Sequence, residues 1–544
     1  MHGAIPMNRR DLFKLAGKVG LVALAQQVPW SVIERLGLTD DYLAEAAALP
    51  QNYVSAAGTQ LMAGSQFASY SIVSNPSSTG YVSSVVGPDG DTWMKLGLTA
   101  ASASVSITRD LGAGSTVNIA GGPDNIYFRI YIPNEATKKN VQIVNMRLAS
   151  GSAWNTNFAD FSQSSTVTTG EQTGYLFNAA GDHSFMQDFS VRQLTNTLNK
   201  TAVRHISFQL TSTGTAGAEI WIKEIRYGVR TRPSIVFYFD DQHITQYTVA
   251  KPILDRYGLK STLCISGNYL LNDQGSGIYM SEANVQTMFD AGHEVVSHSW
   301  DHGSYGSMTY QQIYDDAKLT KDLLDSRGWN RNGSEHLFTY ANGSAPTEAN
   351  MGALTSLGYT YARGARTYNV ERYQQHTYGG VDYPMRLLTW GLSRPPRTIT
   401  AMANNGSGAY RVTAAGHGFS SDEWVDISGT STTADGTWQV AYVSSSQFDL
   451  VGPSFGSNAT GLARQSRKEW ERRVQMAIRF GATCHVLVHQ VGAGGVPVDV
   501  GYVTDVEFDP FIQFCARHVQ GNVLDWRTFP EWVNGLTNPR RTRY

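Results

Sequence analysis

Five side chains of metal-binding or titratable type follow three apolar runs of this chain. Asp240 and Asp241 are adjacent carboxylates, His298 and His302 stand four residues apart, and His489 follows Leu-Val. Two imidazoles and one carboxylate form an ordinary three-ligand set for Zn²⁺ that leaves a coordination position open. Neighbouring side chains at a strand end point in different directions, so one carboxylate could bind metal while the other faces a substrate. The pattern indicates a metal site with acid–base groups beside it.

Each of these signals has an ordinary structural alternative when taken alone. A single Asp-Asp pair usually makes a turn or a helix cap, and two histidines at this spacing would also suit a protein surface. The interpretation depends on their conjunction, because the five groups end three separate predicted strands in one region. Parallel β/α folds place their chemistry at that end of their strands.

The elements that position these groups alternate between strand and helix from residue 232 onward. The strands are apolar without alternation, which is typical of parallel strands buried on both faces. Pro252 lies near the middle of the first predicted helix and is a mild objection to it. The predicted strands are 234–239, 261–266, 293–297, 337–340, 386–390 and 484–488, and the predicted helices are 244–257, 281–291, 309–326, 347–357 and 468–480.

Two further regions read as all-β structure. Residues 51–231 carry alternating β-branched and aromatic runs between Gly/Ser/Thr/Asn turns, which predicts a β-sandwich. The region weakly resembles the jelly-roll carbohydrate-binding modules, and Trp93, Trp154 and Trp221 could form a sugar platform or, as the alternative, pack in the core. Residues 397–463 predict a small β module inserted into the β/α region, and they resemble a short module recurrent in bacteriophage tail proteins.

The β/α region resembles the NodB-homology polysaccharide deacetylases, carbohydrate esterase family 4. Phe239-Asp240-Asp241, His298 to His302 and Leu487-Val488-His489 match three of that family's four motifs in order. The resemblance implies a distorted (β/α) barrel built from 232–396 and 464–544. It also implies that Asp241, His298 and His302 hold the metal, that Asp240 is the general base and that His489 is the general acid.

The chain departs from the family pattern at two places. Gln242 replaces the usual Gly after Asp-Asp, so the turn there is expected to differ. The third motif, 338–343, lacks the usual Arg and Pro and is closer to a subgroup in which an Arg on a later strand supplies the charge. Arg386 is the predicted partner of Asp240, with a surface ion pair as the alternative, and a backbone N–H at Tyr340 is the predicted oxyanion donor.

The resemblance implies a hydrolase that removes acetyl groups, N-acetyl foremost, from a polysaccharide or peptidoglycan. The expected cofactor is Zn²⁺, or another divalent metal such as Co²⁺, Ni²⁺ or Mn²⁺, and the expected partner is an acetylated glycan. The alternative is a non-catalytic, glycan-binding component of a cell surface or phage tail. A third reading keeps the site but gives it another amide, such as a cyclic imide.

The net charge and the amino-terminal sequence limit the partners and the location that we expect. With 43 Lys+Arg against 45 Asp+Glu, the net charge of −2 gives no sequence-wide field for nucleic acid. Residues 1–50 read as a leader and tether: Arg9-Arg10 before an apolar stretch resembles a twin-arginine export signal with cleavage after Ala25, and a basic amphipathic helix is the alternative. No stretch has the ~20 apolar residues of a transmembrane helix. We therefore expect an exported or virion-associated protein, with cell-wall, capsule or phage-tail association.

The three cysteines are expected to be buried small hydrophobes, since they are too few for a disulfide framework.

Overall fold

The computed structural model describes most of the chain after the predicted leader. The described residues are 58–120, 125–164, 167–169, 172–174, 181–188, 197–213, 215–229, 233–273, 276–364, 373–374, 390–392, 396–419, 421, 423–480, 483–495 and 503–537. The predicted export segment and Arg386 lie outside these ranges.

The amino-terminal region contains two antiparallel sheets with an apolar core between them, and a separate pair of short strands, Val167–Thr169 and Gln172–Gly174. One sheet runs β2-β5-β12-β7-β8, and the other contains β3-β4-β13-β6-β11, with β1 paired to β13. Inward side chains of both sheets, such as Ile107, Phe208 and Ile222, share one buried cluster. The predicted sandwich is thus present, while its jelly-roll topology stays a prediction. Its strands are Thr59–Ala63, Ser71–Asn75, Gly80–Val86, Thr92–Leu98, Ser104–Asp110, Asn125–Ile132, Val141–Ala149, Phe158–Ser164, Val167–Thr169, Gln172–Gly174, Gly181–Asp188, His205–Ser212 and Ala218–Tyr227 (β1 to β13), with the short helix Glu135–Asn140 (α1) and a 3₁₀ turn at Gly64–Ser69.

The three tryptophans considered for a sugar platform do not lie together on one surface. Trp93 is fully buried beneath the charged groups of Arg129 and Lys223, with its ring centroid 6.3 Å from that of Tyr131. Trp221 is partly buried, with its ring centroid 4.8 Å from that of Tyr131. Trp154 is 49% exposed and stacks against the guanidinium of Arg147.

The carboxy-terminal region is built on a parallel sheet in the order β18-β17-β16-β15-β14-β27. β14 is buried at all seven positions because layers cover both of its faces, which explains its continuous apolar run. β20 and β28 also pair in parallel with β27 and β14. The strands are Ser234–Asp240 (β14), Thr262–Ile265 (β15), Glu294–Ser297 (β16), Leu337–Thr339 (β17), Tyr361–Arg363 (β18), Tyr373–Gln374 (β19), Trp390–Gly391 (β20), Thr483–Val488 (β27) and Asp525–Arg527 (β28).

The predicted helices of this region are present, and their ends have identifiable caps. Ser281 and Thr309 each form a capping box at the start of a helix. The predicted helix 244–257 contains a π-helical turn, Gln246–Ala250, and Pro252 lies in the first turn of the α-helical part that follows, where its missing N–H is tolerated. The helices are Lys251–Arg256, Gly267–Asn272, Glu282–Asp290, Tyr310–Ser326, Gly352–Ser356, Arg467–Phe480, Asp505–Gln520 and Phe529–Thr537 (α2 to α9), with 3₁₀ turns at Tyr305–Ser307, Arg331–His336, Ala341–Gly343 and Glu348–Asn350.

The inserted segment forms a closed six-stranded barrel with its own core. A buried ion cluster attaches it to α7: Arg473 donates to Glu423 of the barrel at 2.9 Å and to Glu469 at 2.7 Å. The barrel is therefore held at a fixed position against the parallel sheet. Its strands are Arg397–Asn404, Ala409–Thr413, Trp424–Ser428, Gly436–Ser444, Gln447–Ser454 and Ala459–Gln465 (β21 to β26).

The sandwich and the parallel sheet are hydrogen-bonded to each other through β19, which lies between β11 and β27. In the described part of the chain, the edges β18 and β20 are not paired with each other, so closure of the sheet into a barrel stays a prediction. Across the same residues, no helix is both long and apolar enough to cross a membrane. All three cysteines are buried and unpaired, as expected.

Candidate active site

The predicted site residues meet at the carboxyl edge of the parallel sheet. Asp240 ends β14, His298 follows β16, and His489 follows β27. Because parallel strands all end on the same edge, residues as distant in sequence as Asp240 and His489 become neighbours there.

Asp241, His298 and His302 form a compact three-ligand cluster. The Nε2 atoms of the two histidines lie 3.2 and 2.9 Å from Asp241 Oδ1, and one ligand atom from each residue lies within 4.8 Å of the others. Asp241 Oδ1 is buried and has no hydrogen-bond partner other than these imidazoles among the described residues. This orphaned acceptor between two aromatic nitrogens fits a divalent cation.

A hydrogen bond to the far ring nitrogen orients His298 as a metal ligand. His298 Nδ1–H donates to the carbonyl oxygen of Thr339 at 2.8 Å, which leaves the lone pair on Nε2 facing Asp241. A carbonyl partner on the far nitrogen is the arrangement that metal-ligating histidines use to fix their tautomer.

The charges in the cluster stabilise one another despite burial. Burial alone would raise the pKa of Asp241, but the adjacent imidazoles of His298 and His302 hold that pKa well below its usual value. Conversely, burial would lower the pKa of His302, and the Asp241 carboxylate raises it. The site therefore carries an ionised carboxylate at neutral pH.

Asp240 is paired with an arginine that sequence reasoning missed. Arg363, at the end of β18, donates to Asp240 Oδ1, and both side chains are at most 2% exposed. Burial would raise the pKa of Asp240, and the Arg363 charge overcomes this and lowers it. The expectation that an arginine on a later strand meets Asp240 is thus fulfilled by Arg363, while the predicted Arg386 lies outside the described residues.

His489 and Tyr340 complete the predicted set. The Nε2 atom of His489 lies 3.9 Å from Asp241 Oδ2, and its side chain is 38% exposed, so it faces both the cluster and solvent. The backbone N–H of Tyr340 donates to the carbonyl of Arg363 at 2.9 Å. Parallel pairing of β17 with β18 therefore occupies the amide that was predicted to bind an oxyanion.

Several turns around the cluster adopt left-handed backbone conformations at residues other than glycine. Asp241, Gln242, Ser299 and His302 have φ of 66°, 38°, 71° and 55°. Such conformations cost about 1–2 kcal/mol each and persist where the surroundings hold them. Gln242, predicted to alter its turn, uses its amide to bond both the N–H and the C=O of Ser266, at 2.9 and 2.8 Å.

A carboxylate on α5 holds the histidine loop. Asp316 accepts the backbone N–H groups of Trp300 and Asp301 at 2.9 and 3.1 Å and the hydroxyl of Tyr305 at 2.5 Å. The sequence signal was weak, since Asp316 is one acidic residue among several on an ordinary amphipathic helix.

A wall of four rings lies beside the cluster. His243, Tyr279, Tyr269 and His302 stack in that order, with centroids 5.2, 4.7 and 5.6 Å apart. His243 Nε2 lies 3.9 Å from Asp241 Oδ2, so the wall begins and ends at this carboxylate. The position of His243, two residues after Asp241, was the available signal.

Comparison with known proteins shows what this region is similar to. Residues 228–362 match the sequence model of a family described as polysaccharide deacetylase. A Bacillus subtilis (strain 168) protein that carries the name polysaccharide deacetylase YxkH is 28% identical over 92 residues, which are 17% of this chain and 32% of that protein. The match thus spans about a third of the curated relative.

Solved structures give low-scoring matches. A Streptococcus pyogenes deacetylase, PplD, in complex with acetate is 20% identical with a TM-score of 0.23, covering 28% of this chain and 64% of that one. A family 4 carbohydrate esterase from Streptomyces lividans in complex with acetate is 14% identical with a TM-score of 0.27, covering 55% and 95%. Since overall superposition is this weak, the family match and the site geometry carry the assignment. Residues 228–362 therefore match a polysaccharide deacetylase domain, the domain of the NodB-homology or family 4 carbohydrate esterases.

Proposed function

We propose that this domain is a metal-dependent hydrolase that removes acetyl groups, N-acetyl foremost, from a polysaccharide or peptidoglycan. The observation that carries the proposal is the cluster itself: Asp241 Oδ1 lies between two imidazole nitrogens, with a second carboxylate and a third imidazole beside it. These are the groups that hydrolysis of an unactivated amide requires: a cation site, a proton acceptor and a proton donor.

Asp241, His298 and His302 would hold the cation. One oxygen and two nitrogen ligands suit Zn²⁺ with an open position, and Co²⁺, Ni²⁺ or Mn²⁺ also accept such ligands. When bound, the cation supplies Lewis acidity toward an acetyl carbonyl and a water molecule.

Asp240 would accept the proton of the attacking water. Its carboxylate is ionised at neutral pH because Arg363 lowers its pKa, so an acceptor is present before substrate arrives. Arg363 occupies Oδ1, which leaves Oδ2 as the oxygen that would take the proton.

His489 would donate a proton to the leaving group. Its ring lies on the solvent side of the cluster, where an amine or alcohol of a long glycan would depart. Asp240 and His489 stand on adjacent strands, since Phe239 is in register with Val488. The acceptor and the donor are therefore held on a common support.

The oxyanion donor must be another amide than that of Tyr340, because that N–H is bonded to the Arg363 carbonyl. We assign the role to the backbone N–H of Asn342 on the same loop. The side chain of Asn342 donates to the His302 carbonyl at 3.1 Å, which places Asn342 next to one of the three proposed ligands.

The experiment is acetate release from acetylated glycans by the purified full chain, with cation present and after chelation. We expect Asp240→Asn and His489→Ala to lose release by 100-fold or more, since a general acid or base contributes roughly 10²–10⁴-fold. His336→Ala, at an exposed histidine away from the cluster, is the matched control and should retain full release. Equal release by all variants would overturn the proposal.

Two associated proposals accompany the catalytic one. The Arg9-Arg10 segment would direct export, and the sandwich and inserted barrel would bring the domain to a cell wall, a capsule or a phage tail. If the purified chain neither bound a cation nor released acetate, the hypothesis of a non-catalytic, glycan-binding protein would replace the enzymatic one.

A further inference from the structure

We propose that Gln246 is a positioning residue that fixes the proton acceptor and the proton donor relative to each other. The inference rests on the roles proposed above for Asp240 and His489. The Nε2 atom of Gln246 donates to the backbone carbonyl of Asp240 at 2.5 Å and to that of His489 at 2.7 Å. One side-chain amide thus joins the ends of β14 and β27 at the two residues whose spacing the reaction depends on.

The local backbone explains how this side chain reaches both strands. Gln246 opens the π-helical turn that runs to Ala250, and its side chain is fully buried. A π turn is rare, and its wider winding places a side chain where a regular α-helix would not. A primary amide has two N–H donors, and both are used here, one for each strand.

The hydrogen bonding of the Gln246 amide suits a role in positioning the two strand ends better than a role in stability alone. Gln246 Oε1 is buried and has no hydrogen-bond partner among the described residues. Rotating the amide by 180° would place this oxygen against two carbonyl oxygens, so the observed orientation is the only one that forms hydrogen bonds. A side chain selected for stability alone would not leave its acceptor unpaired in this way.

We call the two hydrogen bonds from Gln246 to the carbonyls of Asp240 and His489 the clamp, and it fixes the backbone at both residues. Holding the Asp240 carbonyl fixes the peptide plane that enters the left-handed conformation of Asp241, with its φ of 66°. Holding the His489 carbonyl fixes the point where the chain leaves β27. Gln242 makes a separate clamp toward Ser266, so it anchors the same turn to β15 and not to the His489 strand.

Gln246→Met tests the inference because methionine has a similar length and no donor. We expect kcat for acetate release to fall by about 10- to 100-fold, since misplacement of reacting groups by about 1 Å costs on that order. KM and the zinc dissociation constant should stay within about 3-fold, because Asp241, His298 and His302 keep their places. Gln246→Asn, which keeps the amide on an arm one carbon shorter, should reduce kcat in the same direction.

Gln465→Met is the matched control, because Gln465 is also a buried glutamine but lies in the inserted barrel. It should leave kcat unchanged. A crystal structure of Gln246→Met should show the carbonyls of Asp240 and His489 moved apart by at least about 0.5 Å.

The possible outcomes distinguish failure of the positioning role of Gln246 from failure of the proposed function. Unchanged kcat in both Gln246 variants, or unmoved strand ends, overturns the clamp. Parallel loss of kcat, cation binding and thermal stability also overturns it, because that result describes a purely structural residue. A wild-type chain that releases no acetate overturns the proposed function instead, and the strand-end displacement still tests the clamp.

Discussion

Replacing Arg363 by methionine would leave Asp240 as a buried carboxylate without its countercharge. Arg363 is fully buried, lies over the ring of Tyr238 at 4.6 Å, and also donates to Cys264 Sγ at 3.2 Å. Both side chains of the pair are at most 2% exposed, so solvent does not replace the lost cation.

The expected loss follows from this burial. Removing one partner of a buried ion pair costs about 3–5 kcal/mol of unfolding free energy, against at most about 1 kcal/mol for an exposed pair. In the wild type the lowered pKa of Asp240 stabilises the fold above the unfolded-state pKa, and this stability is lost as pH falls through the folded-state value. In the variant, burial raises the pKa of Asp240 instead, so the deficit in unfolding free energy should be larger at pH 7 than near pH 4.

The assay is a double-mutant cycle of urea unfolding at pH 7 with Arg363→Met, Asp240→Asn and the combined variant. Each single variant leaves one buried charged group unpaired, and the double variant leaves none. We therefore expect a coupling free energy of about 2 kcal/mol or more. The exposed pair Arg204–Asp110 is the matched control and should show a much smaller coupling.

Additive effects of Arg363→Met and Asp240→Asn would refute this reasoning. So would a deficit of Arg363→Met that stays the same between pH 4 and pH 7. Either result would mean that Arg363 does not set the charge of Asp240.

Two more predictions follow from buried polar groups. Burial lowers the pKa of His293, His485 and His518 to about 3, 3 and 4. The unfolded chain, with histidine pKa values near 6.5, binds more protons below that pH, so the stability present above pH 6.5 should fall by about 2 kcal/mol per histidine on going to pH 5 in urea unfolding. Asp316→Asn removes one carboxylate acceptor from the histidine loop, so calorimetric zinc affinity should drop about 10-fold or more while helix content stays unchanged. Stability that is flat from pH 7 to pH 5, or unaltered zinc affinity, would contradict them.

Local sequence pattern predicted those parts of the site that depend on local structure. The continuous apolar run of β14 indicated a strand buried on both faces, and the two carboxylates at its end followed directly. His298, His302 and His489 were found because each follows another such strand. Their convergence needed only the rule that parallel strands end on one edge.

The contacts that were missed depend on which strands become neighbours. β18 has three residues, too few for a periodicity signal, so the sequence does not reveal that Arg363 ends a strand, and the prediction falls on Arg386. Because β18 was not predicted, Tyr340 was also predicted as the oxyanion donor. Its backbone N–H would be available for that role only if no strand paired beside it. Gln246 and Asp316 act on the backbone of distant residues, and no pattern in one sequence identifies such partners.

The most direct test of the proposed deacetylase function is acetate release from a panel of chitin oligomers, peptidoglycan, exopolysaccharide and acetylated xylan by the full chain. Each substrate is assayed before chelation, after chelation and after zinc is restored. We expect release from at least one glycan that disappears on chelation, returns with zinc and is absent in Asp241→Asn. Release that survives chelation, or no release from any glycan by a zinc-loaded protein, would contradict it.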